Sequence, residues 1–134
     1  MNGRLEPPAA LDTVYCYNIP SAVVTFPEPF AHLTGFEWDA GNSEKNLHSH
    51  SVTCAEAEEA FLNIPVVVTP DLGHSGQEPR FALLGRTNVD RLLFVAFTTR
   101  GTLARVISAR AMNRKEGRTY EQARQANEEA DPSL

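Results

Sequence analysis

Apolar positions along the chain fall into short clusters whose spacing changes character several times. Phe36-Glu37-Trp38 alternates like a short strand, and the polar stretch from Asn42 to Leu47 suits a short helix. Thr53-Cys54-Ala55-Glu56 has the form of a capping box: the threonine hydroxyl serves a free backbone N–H, and the glutamate reaches back to the cap. The helix it opens carries Ala57, Ala60 and Phe61 on one face and ends before Pro65. Val66-Val67-Val68 reads as a short buried strand, and 70–79, rich in turn formers, as a loop. Three strand-like runs follow, Arg80 to Gly85, Leu92 to Thr98 and Leu103 to Ser108. The last two flank Arg100-Gly101, where glycine can take a positive φ, so they predict an antiparallel hairpin. Beyond Arg110 the period changes again. Asn113-Arg114-Lys115-Glu116 is a second capping signal, and a helix through Tyr120 and Ala123 should follow. This order predicts an α+β domain, an antiparallel sheet with helices packed on one face.

The flanks read differently. Residues 1–35 hold five of the nine prolines and few charges, so they form a Pro-rich N-terminal extension. Val14 to Tyr17 and Ser21 to Phe26 have strand character, but proline on both sides prevents a long element. The domain proper is expected over 36–125, with a fraying acidic tail over 126–134. No apolar run approaches the roughly 18 residues of a membrane span. The opening residues lack the basic and apolar regions of a secretory leader. Two cysteines, Cys16 and Cys54, are too few for a disulfide framework, so a reduced, cytoplasmic protein is expected.

Charge changes the picture more than composition does. A formal net charge of −5 over 134 residues argues mildly against nucleic acid as a partner. Between Arg80 and Arg118, however, nine basic residues face only Asp90 and Glu116, a local +7 against −12 over the rest. Eight of the nine are arginine, the residue suited to flat, bidentate contact with phosphate or carboxylate. A solvated face or an acidic protein partner is the competing reading.

Candidate chemistry narrows by elimination. His48, His50 and Cys54 lie close in sequence, with His74 further on, and support a weak zinc-hydrolase reading. There is no Cys-x-x-Cys and no second pair at ligand spacing, so no metal is expected. Ser49 and Ser51 beside histidines make no nucleophile elbow, and no Gly-rich phosphate loop appears, so no cofactor is expected either. Arginines, a histidine and a few carboxylates remain. Metal-free RNA cleavage needs such parts: a base for the 2′-hydroxyl, cations for the charged phosphorane, and an acid for the leaving oxygen.

A series of ordered fragments then carries a resemblance. It begins at Phe36-Glu37-Trp38-Asp39, continues at Asn46, His50, Val52-Thr53, Glu56-Ala57 and Phe61, and resumes at Pro70-Asp71, His74-Ser75, Glu78, Arg80 and Leu84-Gly85. It is densest over Arg91 to Val95, Thr99-Arg100-Gly101 and Arg105 to Arg110, and closes with Glu116 and Tyr120. Over residues 36 to about 121 the chain resembles the BrnT family of ribonuclease toxins from type II toxin–antitoxin systems. The resemblance implies a RelE-like fold and a metal-independent endoribonuclease that inhibits translation. It also implies a BrnA-type antitoxin partner, with DNA reached only through the antitoxin complex, an RNA substrate and no membrane. Departures are plain. Asn42 stands where members usually carry lysine, and Ser49-His50-Ser51 where they carry Lys-His-Gly. Ala111 replaces a usual basic residue and Gly117 a frequent arginine. These favour an alternative, a catalytically degenerate module that binds its antitoxin and serves in operon autoregulation.

The expected catalytic residues are His50, Arg80, Arg110 and Glu116, with Arg100, Arg105, Arg114 and Lys115 expected to bind RNA. Each has a structural counterpart reading. His50 is suited to proton transfer, or is a helix-flanking residue bonded to backbone. Arg80 holds the scissile phosphate, or pairs with Glu78 or Asp71. Arg110 faces the developing phosphorane charge, or makes a structural ion pair. Arg100 stands at a hairpin tip, where solvent exposure is the simpler reading. Glu116 is also the third residue of a capping box. Trp38 and Phe36 read more readily as core than as a platform for bases.

Overall fold

The computed structural model describes residues 26, 30–43, 50–71 and 78–130. The strands are β1 (Gly35–Phe36), β2 (Val67–Pro70), β3 (Phe81–Arg86), β4 (Leu92–Arg100) and β5 (Leu103–Ala111). The helices are α1 (Ala40–Ser43), α2 (Cys54–Leu62) and α3 (Arg114–Ala130). All five strands join one sheet in the order β1-β5-β4-β3-β2.

Local signals place most of these elements. The Thr53 hydroxyl accepts from the Glu56 N–H at 3.0 Å, and the Glu56 carboxylate accepts from the Thr53 N–H at 3.0 Å, which completes the capping box of α2. Asn63 caps the other end through its N–H to the Glu59 carbonyl. Gly101, at φ 62°, turns β4 into β5. Asn42 and Ser43 of the short helix expected over 42–47 lie in α1, and residues 44–49 are outside the described segments. At the far end, α3 continues to Ala130, into the stretch read as an acidic tail.

Two features of the expected architecture are corrected. The sheet is mixed, not antiparallel: β1 runs parallel to β5, pairing Gly35 with Leu103 and Phe36 with Ala104. Nor do the helices share one face. Leu83 and Gly85 of β3 point toward α2, and a Cβ built on Gly85 would sit 2.1 Å from the Ala60 carbonyl oxygen. The side chains that bind α3 project from the opposite side, because strand neighbours alternate between faces. They are Arg110 of β5, bonded to Glu116, and Arg86 of β3, close to Tyr120. The connection is short, since α3 begins three residues after β5 ends, and the Arg110–Glu116 bond holds its first turn on the face from which Arg110 projects.

Under α2 lies the core. Leu93, Val95 and Phe97 of β4 and Ala104, Val106 and Ala109 of β5 are fully buried there with Ala57, Ala60 and Phe61 of α2. Aromatic rings meet edge to face, Phe61 with Phe97 at 4.8 Å and Phe30 with Phe97 at 5.3 Å between centroids. Phe26, Phe30 and Leu33, from the Pro-rich extension, are buried in the same cluster. A fully buried side chain of this size contributes on the order of 1.5–3 kcal/mol.

A register shift between Ala96 and Phe97 sets what the other face carries. Phe97 pairs with Val106 and Ala96 with Ser108, so Ile107 is an extra residue in β5. Such a bulge resets the alternation of its strand. Arg105 and Arg110, an odd number of residues apart, therefore stand opposite Thr98 and Phe94 and share the outer face.

Two stability effects follow. Gly85→Ala should cost about 3 kcal/mol, because a methyl group meets helix backbone that cannot yield. Urea unfolding should show a lower midpoint with an unchanged slope. The second concerns Glu58, whose carboxylate accepts from the Trp38 indole N–H at 2.7 Å. Burial pushes its carboxyl up to about 7, against the pull of the indole bond, and Glu59 adds to the rise. Below the ordinary glutamate range the group is protonated in both states. Between that range and about pH 7 only the unfolded chain ionises, so stability is lost as pH rises through this window. Glu58→Gln should remove the loss, gaining on the order of 2 kcal/mol over the wild type, with the gain growing across the window and level above it. Unfolding free energies measured at several pH values check this.

Candidate active site

The best-defined cluster of chemical groups on the outer face forms where β5 hands over to α3. Arg110 Nη1 and Nη2 donate to the two carboxylate oxygens of Glu116 at 2.8 and 2.9 Å, a bidentate fork. Nη1 also donates to the Ala111 carbonyl at 3.1 Å. Beneath the guanidinium lies the Phe94 ring, 4.1 Å from its central carbon. Glu116 is held from a second side by the expected capping box: it accepts from the Asn113 N–H at 2.9 Å, and its own N–H donates to Asn113 Oδ1 at 2.8 Å. The Arg110 bond, with the Asn113 N–H, keeps the Glu116 carboxyl below the usual glutamate range. Near neutral pH it is a carboxylate, able to accept a proton or a hydrogen bond but not to donate.

Arg114 and Lys115 are exposed in the first turn of α3, and Arg118 is exposed one turn on. Among the described residues no ion pair engages these three. Cations in the first turn oppose the helix dipole, so helix stability does not account for them.

The remaining expected residues divide by position. His50 is exposed, and its carbonyl accepts from Arg91 Nη2 at 3.5 Å. Arg91 also donates to the Ser51 carbonyl at 2.9 Å and to both oxygens of Glu56 at 3.1 Å. Arg91 thus holds the backbone of His50 and Ser51 beside the head of α2, where β4 begins. Arg100, Arg105 and Arg80 belong to the other end. Arg105 is bound by Asp39 at 3.0 and 3.1 Å and by Glu37 at 3.2 Å. Arg100 is bound by Glu78 at 2.8 and 3.2 Å and by Glu37 at 3.2 Å. Half-buried Arg80 precedes β3, where Thr98 donates to the neighbouring Pro79 carbonyl. Four residues of β4 separate the two groups, about 13 Å at the strand rise. The eight expected residues thus fall into two groups: in one Arg110 pairs with Glu116 beside exposed Arg114 and Lys115, and in the other Arg100 and Arg105 are taken up by Glu37, Asp39 and Glu78.

Sequence reading passed over Phe94. Counting back across the hairpin from Arg110 would have found it only with the Ile107 bulge known. It also passed over a cleft of about 460 Å³ between α3 and the loop after α2, walled by Ile64, Pro65, Arg86, Asp90, Arg124 and Asn127. There Arg124 and Asp90 pair at 2.6 Å. Asn42, where a lysine was noted as usual, is buried; its amide donates to the Glu37 and Val106 carbonyls at 3.1 and 2.8 Å. The position ties α1 to β5 and offers no charge.

Among the described residues no three His, Cys, Asp or Glu side chains gather to hold a metal; His48 and His74 lie outside those residues. Cys54, buried at the head of α2, is disulfide-bonded, which departs from the expected reduced thiol. No helix among the described residues is long and apolar enough to cross a membrane.

A family model described as "Ribonuclease toxin, BrnT, of type II toxin-antitoxin system" matches residues 38–116. No curated protein matches the chain. The matched span ends on Glu116, so it contains Arg110, Phe94 and the capping carboxylate together.

Glu116→Gln tests the fork. The carboxyl is depressed in the folded state, so its contribution is present above the unfolded value and lost as pH falls through the folded one. The variant should lose on the order of 1 kcal/mol at neutral pH, a modest figure because Arg110 is part-exposed. In urea unfolding the gap from wild type should close as pH drops below the glutamate range.

Proposed function

Since the chain belongs to the BrnT family of ribonuclease toxins of type II toxin–antitoxin systems, we propose that it is a metal-independent endoribonuclease. It cleaves RNA by attack of a 2′-hydroxyl on the adjacent phosphate and so inhibits translation. The observation that carries this reading is the Arg110 site: a rigidly held guanidinium beside exposed cations that no ion pair engages among the described residues. Arg110 faces the charge that develops on the pentacoordinate phosphorane, where a preplaced cation is most effective. Glu116, ionised, holds Arg110 in place and is the carboxylate nearest the reacting phosphate. His50, exposed at the same end of the sheet, moves the proton to the leaving 5′-oxygen. Arg114 and Lys115 guide the RNA backbone, and Arg80, Arg100 and Arg105 extend the track once phosphate exchanges with Glu37, Asp39 and Glu78. A type II toxin has an antitoxin partner. We take it to be of the BrnA type, covering this face and carrying the contact to DNA. The fold is read as RelE-like on the resemblance, and the protein as cytoplasmic.

One observation favours the alternative of a degenerate module that binds antitoxin and serves operon autoregulation. Asn42 is built into the α1–β5 contact where members usually carry lysine, and Arg105 is consumed by Asp39 and Glu37. RNA incubated with purified protein in chelator separates the two readings. Cleavage to 2′,3′-cyclic phosphate ends, reduced about 10²- to 10³-fold by Arg110→Ala, is the expected result. Induction of the chain alone should arrest growth, and the same substitution should relieve the arrest. Intact RNA from a protein that still binds its antitoxin would establish the module instead.

A further inference from the structure

The guanidinium of Arg110 has two forks, and the chain uses one. Glu116 takes the end formed by Nη1 and Nη2, and the second Nη1 proton goes to the Ala111 carbonyl. The Nε–H and the second Nη2–H form the side fork, which no described residue takes up. An arginine side chain has several rotatable bonds, so one fork alone leaves the group free to pivot about it. The Phe94 ring removes that freedom. It lies 4.1 Å under the central carbon, on the face of the sheet that the Ile107 bulge assigns to Arg110. Fork and ring constrain different directions: Glu116 acts within the guanidinium plane, and Phe94 acts normal to it.

We propose that Phe94 is a positioning residue that, with Glu116, presents the side fork of Arg110 to an incoming RNA phosphate. The proposal rests on the ribonuclease reading of the same site. Phe94 does not touch the reacting atoms and acts through Arg110. Its π face attracts the cation while leaving every N–H free, which a polar neighbour would not do. The ring therefore orients the group at no cost in donors. Misplacement of a charge-stabilising group by about an ångström is worth up to about 100-fold in rate.

Steady-state cleavage of a defined RNA in chelator, with wild type, Phe94→Leu, Phe94→Met, Phe94→Tyr and Arg110→Ala, tests it. Phe94→Leu and Phe94→Met, which fill the space without a π face, should lower kcat about 10- to 100-fold with KM within about twofold. Phe94→Tyr, which keeps the face, should stay within about threefold of wild type. Nitrogen-15 NMR of the arginine side chains adds a readout independent of turnover. The Arg110 Nε–H resonance, displaced by the ring current, should return toward its free position in Phe94→Leu and Phe94→Met but not in Phe94→Tyr. Full kcat in the Leu and Met variants beside an inactive Arg110→Ala overturns the role of Phe94 and leaves that of Arg110. Wild-type cleavage by Arg110→Ala overturns both. Equal losses in Tyr, Leu and Met also overturn it, because a merely structural ring would give that pattern.

Discussion

One extra residue in β5 decides how this molecule uses its arginines. Without the bulge at Ile107, Arg105 and Arg110 would project from opposite faces, since five residues separate them. One of the two would then point into the core against Phe61 and Phe97, where an unpaired guanidinium is prohibitively costly to desolvate. The bulge lets Ala104, Val106 and Ala109 all face inward, where each is fully buried. The apolar packing and the polar outer face are thus two results of the same register.

Charge is resolved locally rather than over a continuous basic face. Arg91 serves Glu56 and the backbone before α2, Arg100 and Arg105 serve Glu37, Asp39 and Glu78, and Arg124 serves Asp90. Three cations of the +7 stretch, Arg91, Arg100 and Arg105, are therefore structural, joining the β1–α1 segment and the approaches to β3 and β4 to the sheet ends. Among the described residues, Arg114, Lys115 and Arg118, which no ion pair engages, sit on the first turns of α3, with Arg110 beside them. That placement runs against the helix dipole, and the capping carboxylate of Glu116 offsets it where the dipole is strongest. Glu116 thereby serves helix and site through one side chain.

The short elements show what the departures from the resemblance mean physically. Asn42 replaces a charged group with an amide that satisfies two carbonyls, locking α1 to β5. Gly117, in the second turn of α3, meets nothing within 4 Å, so no side chain is excluded there by packing. The first departure is built into the fold and the second is open surface.

Much of the fold was legible in the residues, because its signals are local. The Thr53–Glu56 and Asn113–Glu116 capping boxes, the hairpin around Gly101 and the β3 to β5 runs each depend on neighbours within a few positions. The pairing of Arg110 with Glu116 is equally local, six residues apart across the start of α3. What no local pattern carries is pairing across distance. The parallel seat of β1 beside β5, the burial of Phe26 and Phe30 and the carboxylates around Arg100 and Arg105 all join residues far apart in the chain. The residues by themselves determined which elements form and which side chains carry charge, since hydrogen bonding and periodicity act over one or two turns. Tertiary structure alone decided which charges remain available, because neutralisation depends on what the fold brings within about 3 Å.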